Sequence, residues 1–153
     1  MDTQTFMQAA IAEAEDGIAH GHGGPFGAVV VRNGQIVGRG HNRVLLNHDP
    51  TCHAEMEAIR DACKNLGTHD LGDCDIYVTA EPCPMCLSAC LWANIKHVVR
   101  GCTREDSENI GFRDKIFYDC LAGSTNLIRV EEAARPECLE LFARYAASTG
   151  TRY

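Results

Sequence analysis

Two short segments, His53-Ala54-Glu55 and Pro82-Cys83-Pro84-Met85-Cys86, constrain the folding of this chain more than any other feature. Each falls where a helix is expected to start. Two thiols in C-x-x-C spacing at a helix start can grip one metal ion, and the partial positive charge there favours the thiolate that metals require. Two helix N-termini emerging on the same side of a sheet would add His53 to Cys83 and Cys86 around that ion. Three protein ligands are typical of catalytic zinc, which keeps a fourth position open for water, whereas structural sites close with four. Glu55, two residues past His53, can overhang that open position and move a proton without binding the metal. A lone C-x-x-C would equally fit a redox or structural role, and a lone histidine at a helix start needs no function. The two together, in this order, point to a catalytic zinc site.

The remaining pattern supplies a frame for such a site. Residues 3–20 repeat apolar positions every four residues (Phe6, Ala10, Ala14, Ile18), which predicts a helix. Asn33-Gly34 between the apolar runs 26–31 and 35–40 predicts a β-hairpin. His48-Asp49-Pro50-Thr51 is turn chemistry before a second helix, with an apolar stripe at Met56, Ile59, Cys63 and Leu66 and Gly67 as its C-terminal cap. Strands are expected at 75–79, 97–101 and 126–132. A third helix should begin at Pro84, and a last one is marked by Pro136 and by Cys138, Leu141, Phe142 and Tyr145. The stretch 103–126 is polar and irregular, with room for a short helix. Strands alternating with helices after an initial hairpin imply a single α/β domain over residues 1–153, its mixed sheet covered on both faces.

Charge and cysteine usage narrow the partners. Lys and Arg number 14 against 21 Asp and Glu, a net charge of −7 without a basic cluster. That balance argues against a polyanionic partner such as nucleic acid. No apolar run reaches the length of a membrane span, and the N-terminus lacks the pattern of a secretory signal, so cytoplasm is expected. Nine cysteines, an odd number in such a chain, argue against a disulfide framework.

With these residues in view, the chain resembles the cytidine/deoxycytidylate deaminase superfamily, and within it is most similar to the small bacterial guanine deaminases. The resemblance runs through GGPFGAVVV, NHDPTCHAEMEAIR, EPCPMC, LWAN and GFRDKIFYD. It implies a three-layer α/β/α fold around a mixed sheet of about five strands, one zinc ion per chain, and a homodimer in which C-terminal segments can be exchanged. It makes His53, Cys83 and Cys86 the zinc ligands and Glu55 the proton shuttle. Asn42, Ala54 and Asp114 then face the edge of the base. On residue type alone, Asn42 also fits a strand-end turn and Asp114 a solvated loop. Phe26 and Trp92 are candidates to wall the pocket, or are ordinary core aromatics. Tyr153 either reaches an active site or is a frayed end. Cys52, directly before His53, either packs or renders the site sensitive to oxidation.

The implied reaction is hydrolytic deamination of a free purine base, guanine giving xanthine and ammonia. Isocytosine or a related aminated heterocycle is the first alternative, since the motifs alone do not separate these substrates. A tRNA adenosine deaminase shares the zinc signature, and cytosine or nucleoside deamination is a further possibility. A non-enzymatic zinc module is the alternative of a different class, and it leaves Glu55 without a purpose.

Overall fold

The structure, a computed structural model, describes residues 2–153. Helix α1 (Thr3–Ala19) starts at Asp2, whose carboxylate accepts the Thr5 N–H at 2.9 Å. Strands β1 (Gly27–Arg32) and β2 (Gln35–His41) form the expected hairpin. Asn33 and Gly34 at its tip have φ of 51° and 75°, the left-handed values that a tight two-residue turn demands. A one-turn helix α2 (Val44–Asn47), without a counterpart among the sequence expectations, precedes α3 (Ala54–Leu66). Helix α3 ends at Gly67, φ 66°, as the cap signal implied. There follow β3 (Asp75–Ala80), α4 (Pro84–Trp92) and β4 (Val98–Cys102). Helices α5 (Arg104–Asn109), α6 (Lys115–Leu121) and α7 (Arg135–Ala146) complete the chain.

The sheet order is β2-β1-β3-β4, with β1 antiparallel to both neighbours and β3 parallel to β4. Both faces of β1 are buried, and its alternate residues serve different layers. Ala28 and Val30, with Ile76 and Val78 of β3, join Ala54, Ala58 and Ala62 of α3 and Cys90 of α4 in one core. Val29, Val31 and Tyr77 face α1 on the opposite side, where the Phe6 ring lies 5.0 Å from that of Tyr77. The fold is the three-layer α/β/α arrangement anticipated.

Two sequence expectations need correction. The sheet has four strands and not five, because residues 126–132 form no strand. Leu127, Ile128 and Val130 are exposed, and β-forming residues without a partner strand have nothing to hold them extended. Second, the fully buried line of α3 is Ala54, Ala58 and Ala62, while Ile59, Cys63 and Leu66 pack at its flank. The cause lies in β2: a Cβ on Gly38 would sit 2.5 Å from the Ala58 carbonyl oxygen, and one on Gly40 2.5 Å from the Ala58 nitrogen. Helix and strand approach so closely that only alanines fit between them. The last helix expected is α7, on which Cys138, Leu141, Phe142 and Tyr145 are all exposed.

Candidate active site

The N-termini of α3 and α4 meet beyond one end of the sheet. His53 and Cys83 are the residues that cap these helices, both in extended conformation, and Pro84 occupies the first turn of α4. Proline suits that position because its missing N–H would find no partner there. Cys86 follows one turn on and is fully buried. His53 Nδ1 lies 3.6 Å from Cys83 Sγ and 3.5 Å from Cys86 Sγ. Bond lengths of about 2.05 Å to nitrogen and 2.3 Å to sulfur at a tetrahedral ion predict an N···S edge of about 3.55 Å. The donor set therefore fits zinc in both chemistry and spacing. Among the described residues, these three form the one metal-competent group, and neither Cys52 nor Cys90 joins it. Cys90 continues the Cys86 face of α4 into the core. Cys52 is buried and accepts a hydrogen bond from Asn47 Nδ2 at 3.6 Å, which is the packing role considered for it.

Electrostatics prepare the same three residues. The neighbouring Cys86 thiol, with help from His53, lowers the Cys83 thiol to about 4. Cys86 is shifted up in turn by its contact with Cys83 and by burial. Both shifts describe one proton shared between two sulfurs, so the pair acquires its first negative charge well below the range of a free thiol. His53 is raised, first by its hydrogen bond to Cys83.

Glu55 is 7 % exposed, and loss of water around its carboxylate pushes it up to about 7. A carboxyl poised near neutrality can both take and return a proton.

These groups open into a cleft of about 610 Å³. Phe26, Asn42 and Asp114 line it together with His53, Glu55 and Cys83. Asn42 is buried, and its side-chain oxygen accepts the Val44 N–H at 3.1 Å, which leaves the amide nitrogen as the free donor. Asp114 stands immediately before α6, its carboxyl raised by burial. That segment is tied to the metal loop. The Tyr118 hydroxyl donates to the Pro82 carbonyl, and Arg104 pairs with Glu81 while covering the Tyr118 ring at 3.8 Å.

Other expected site residues fall elsewhere. Ala54 has its side chain wholly in the core beneath the cleft. Trp92 is 66 % exposed at the far end of α4 and does not line the cleft. Six residues beyond Cys86 on a helix is about 240° around the axis, which turns Trp92 away from the metal. Tyr153 does not line its own chain's cleft either, and its ring lies 6.1 Å from that of Trp92. Sequence reasoning gave no role to Thr79, Ser107, Phe112 and Phe117, which also line the cleft. Phe112 left a trace in the sequence: it meets Phe26 edge-to-face at 4.8 Å, and a Cβ on Gly24 would lie 2.9 Å from both rings. The glycine pair before Phe26 is the signal for that aromatic corner.

Comparison with known proteins agrees with this geometry. The family model for the cytidine and deoxycytidylate deaminase zinc-binding region matches residues 1–102. A guanine deaminase of Bacillus subtilis is 47% identical over 118 residues, covering 77% of this chain and 76% of that protein. A tRNA-specific adenosine deaminase of Aquifex aeolicus is 41% identical over 99 residues, 65% of each chain. The X-ray structure of guanine deaminase from Bacillus subtilis superposes with a TM-score of 0.91 at 36% identity, covering 100% of this chain and 99% of that one.

Proposed function

This chain belongs to the cytidine and deoxycytidylate deaminase family, and from that premise we propose that its substrate is a free purine base, guanine. It is a zinc-dependent hydrolytic deaminase, and the proposed reaction converts guanine and water to xanthine and ammonia. The observation that carries the choice of base is the reach of the likeness. In solved structures, likeness to a tRNA:A34 deaminase covers 65% of the chain with a TM-score of 0.63, whereas the guanine deaminase is matched through all of it with a TM-score of 0.91, the Asp114 segment included. The net charge of −7 also suits a small neutral base better than tRNA.

Zinc held by His53, Cys83 and Cys86 would supply Lewis-acid chemistry, acidifying the attacking water and stabilising charge on oxygen. Glu55 takes the proton of that water as the new C2–O bond forms, and passes it to the adjacent ring nitrogen. It then carries the remaining proton of the new C2 hydroxyl to the amine, so that C2=O forms as the C2–N bond breaks and ammonia leaves. The elevated carboxyl of Glu55 suits both transfers. Asp114 accepts from the N–H groups along the guanine edge. Asn42, its oxygen already engaged by Val44, donates to a ring or carbonyl acceptor. Phe26 and Phe112 bound the plane of the ring.

The exposed apolar residues Leu127, Ile128, Val130, Leu141 and Phe142 support a homodimer in which the C-terminal segment is exchanged with a second copy. In that arrangement Tyr153 would approach the partner's cleft. No helix among the described residues is long and apolar enough to cross a membrane, and all nine cysteines are free, which is consistent with a cytoplasmic setting. Ammonia release from guanine, isocytosine, cytosine, guanosine, adenosine and a tRNA loop tests the substrate. Turnover confined to guanine is expected. Turnover of isocytosine without guanine would overturn the assignment to a purine, and turnover of the tRNA loop would overturn the free base.

A further inference from the structure

A second cluster of polar groups lies behind the cleft wall, on the side away from the metal. His41, the last residue of β2, is 3 % exposed, and its Nδ1 lies 3.0 Å from Glu13 Oε2 of α1. Its Nε2 lies 2.8 Å from His22 Nδ1, with the two rings stacked at 5.0 Å. A space is built for this imidazole: a Cβ on Gly17 would come within 2.6 Å of His41 Cδ2, so α1 is bare where the ring rests. The carboxylate fixes the His41 proton on Nδ1. His41 Nε2 is then the acceptor, and the His22 Nδ1–H must donate to it.

Both histidines are joined to parts of the cleft. His41 is bonded directly to Asn42. The His22 carbonyl accepts the N–H groups of Leu45 and Leu46, each at 3.1 Å, and so holds the first turn of α2. Val44 and Leu45 of that turn line the cleft. Val44 is also the residue whose N–H orients the Asn42 amide. Gly23, next to His22, lies directly against that amide: a Cβ there would be 2.0 Å from Asn42 Oδ1. The 22–26 loop and the β2–α2 turn therefore meet at Asn42, and one imidazole pair bolts them to each other and to α1.

We propose that Glu13, His41 and His22 form a carboxylate–imidazole–imidazole relay that positions Asn42 for recognition of the base. The three are positioning residues: none touches the substrate, and their effect falls on binding and not on proton transfer. The proposal rests on guanine being the substrate only where binding is read through KM.

The test compares wild type, His22→Ala and His22→Asn, all zinc-loaded, in guanine kinetics, zinc content, thermal midpoint and the side-chain amide NMR signals of Asn42. An asparagine at 22 can place an N–H where the imidazole Nδ1 stands. His22→Ala should raise KM about tenfold, as loss of one part-buried hydrogen bond behind Asn42 implies, with kcat within about twofold and zinc unchanged. The Asn42 signals should move in His22→Ala and return in His22→Asn together with KM. Unmoved Asn42 signals in His22→Ala would overturn the relay. So would recovery of the thermal midpoint in His22→Asn without recovery of KM or of those signals. Absence of guanine turnover in the wild type would instead remove the substrate assignment, and the Asn42 signals would still decide the relay.

Discussion

Residues 2–102 and residues 103–153 use apolar side chains in opposite ways. In the first region Ala28, Val29, Val30, Ala54, Ala58, Ala62, Ile76 and Val78 are almost entirely shielded from water. In the second, Leu127, Ile128, Val130, Leu141 and Phe142 face outward, and Ser107 is the one buried residue among those described. The zinc-binding family match ends at the same boundary, residue 102. The metal-competent group and Glu55 thus lie in a close-packed body, while the proposed base contact Asp114 and the proposed assembly surface lie in a segment that adds little to that body's core. Asp114 crosses the divide, since it belongs to the second region and lines the cleft of the first.

The largest effect that could break this comparison is at Glu55. Glu55→Gln should keep zinc and fold while ammonia release falls about 10³-fold, within the span of general acid–base catalysis. Zinc content and turnover measured on one sample decide it, and near-wild-type turnover would end the assigned role.

The same carboxyl gives a stability signature once zinc is removed. Its folded-state value of about 7 lies above the unfolded 4.5, so the folded state binds the extra proton between them. The contribution of Glu55 then falls as pH rises through that window, by about 3 kcal/mol, while the depressed Cys83 thiol contributes with the opposite sign. Urea unfolding of metal-free wild type and Glu55→Gln at about pH 4.5 and 7.5 isolates the Glu55 share: the change between the two pH values should be less favourable in wild type than in the variant by about 3 kcal/mol. An equal slope in the variant would exclude Glu55 as the source.

Asp114→Asn probes the crossing point. Loss of a charged acceptor should cut kcat/KM for guanine roughly 10- to 100-fold with zinc content intact. An unchanged value would confine base selection to the first region.

The smallest effects separate the regions by stability. Gly40→Ala should cost about 1–3 kcal/mol, as overpacking does in a filled core. Leu141→Ala should leave the unfolding of a single chain nearly unchanged and weaken self-association in sedimentation. Equal destabilisation at both sites would erase the contrast.

What the sequence made legible follows this division. Asn33-Gly34, Gly67 and Pro84 are backbone signals with local causes, and the elements they bound appear where expected. His53, Glu55, Cys83 and Cys86 were readable because their chemistry demands particular atoms at particular spacings. The fifth strand was not, since 126–132 has strand-forming residues and no edge to pair with. Trp92 looked like a pocket wall by residue type, but its side depends on the phase of α4 relative to Cys86. The relay of Glu13, His41 and His22 joins three segments that no linear spacing connects.

Gly38 and Gly40 carry a consequence for how the enzyme tolerates variation. Helix α3 rests on these two bare positions, and its first turn bears Glu55 two residues after His53. A single added methyl there changes neither charge nor polarity, yet it lifts the helix and carries the proton-transferring carboxylate and a metal ligand with it. Displacements of about 1 Å far from the chemistry can lower rate about 10²-fold. In a library of random variants selected for turnover, β2 would therefore read as an intolerant strand although neither glycine touches the base.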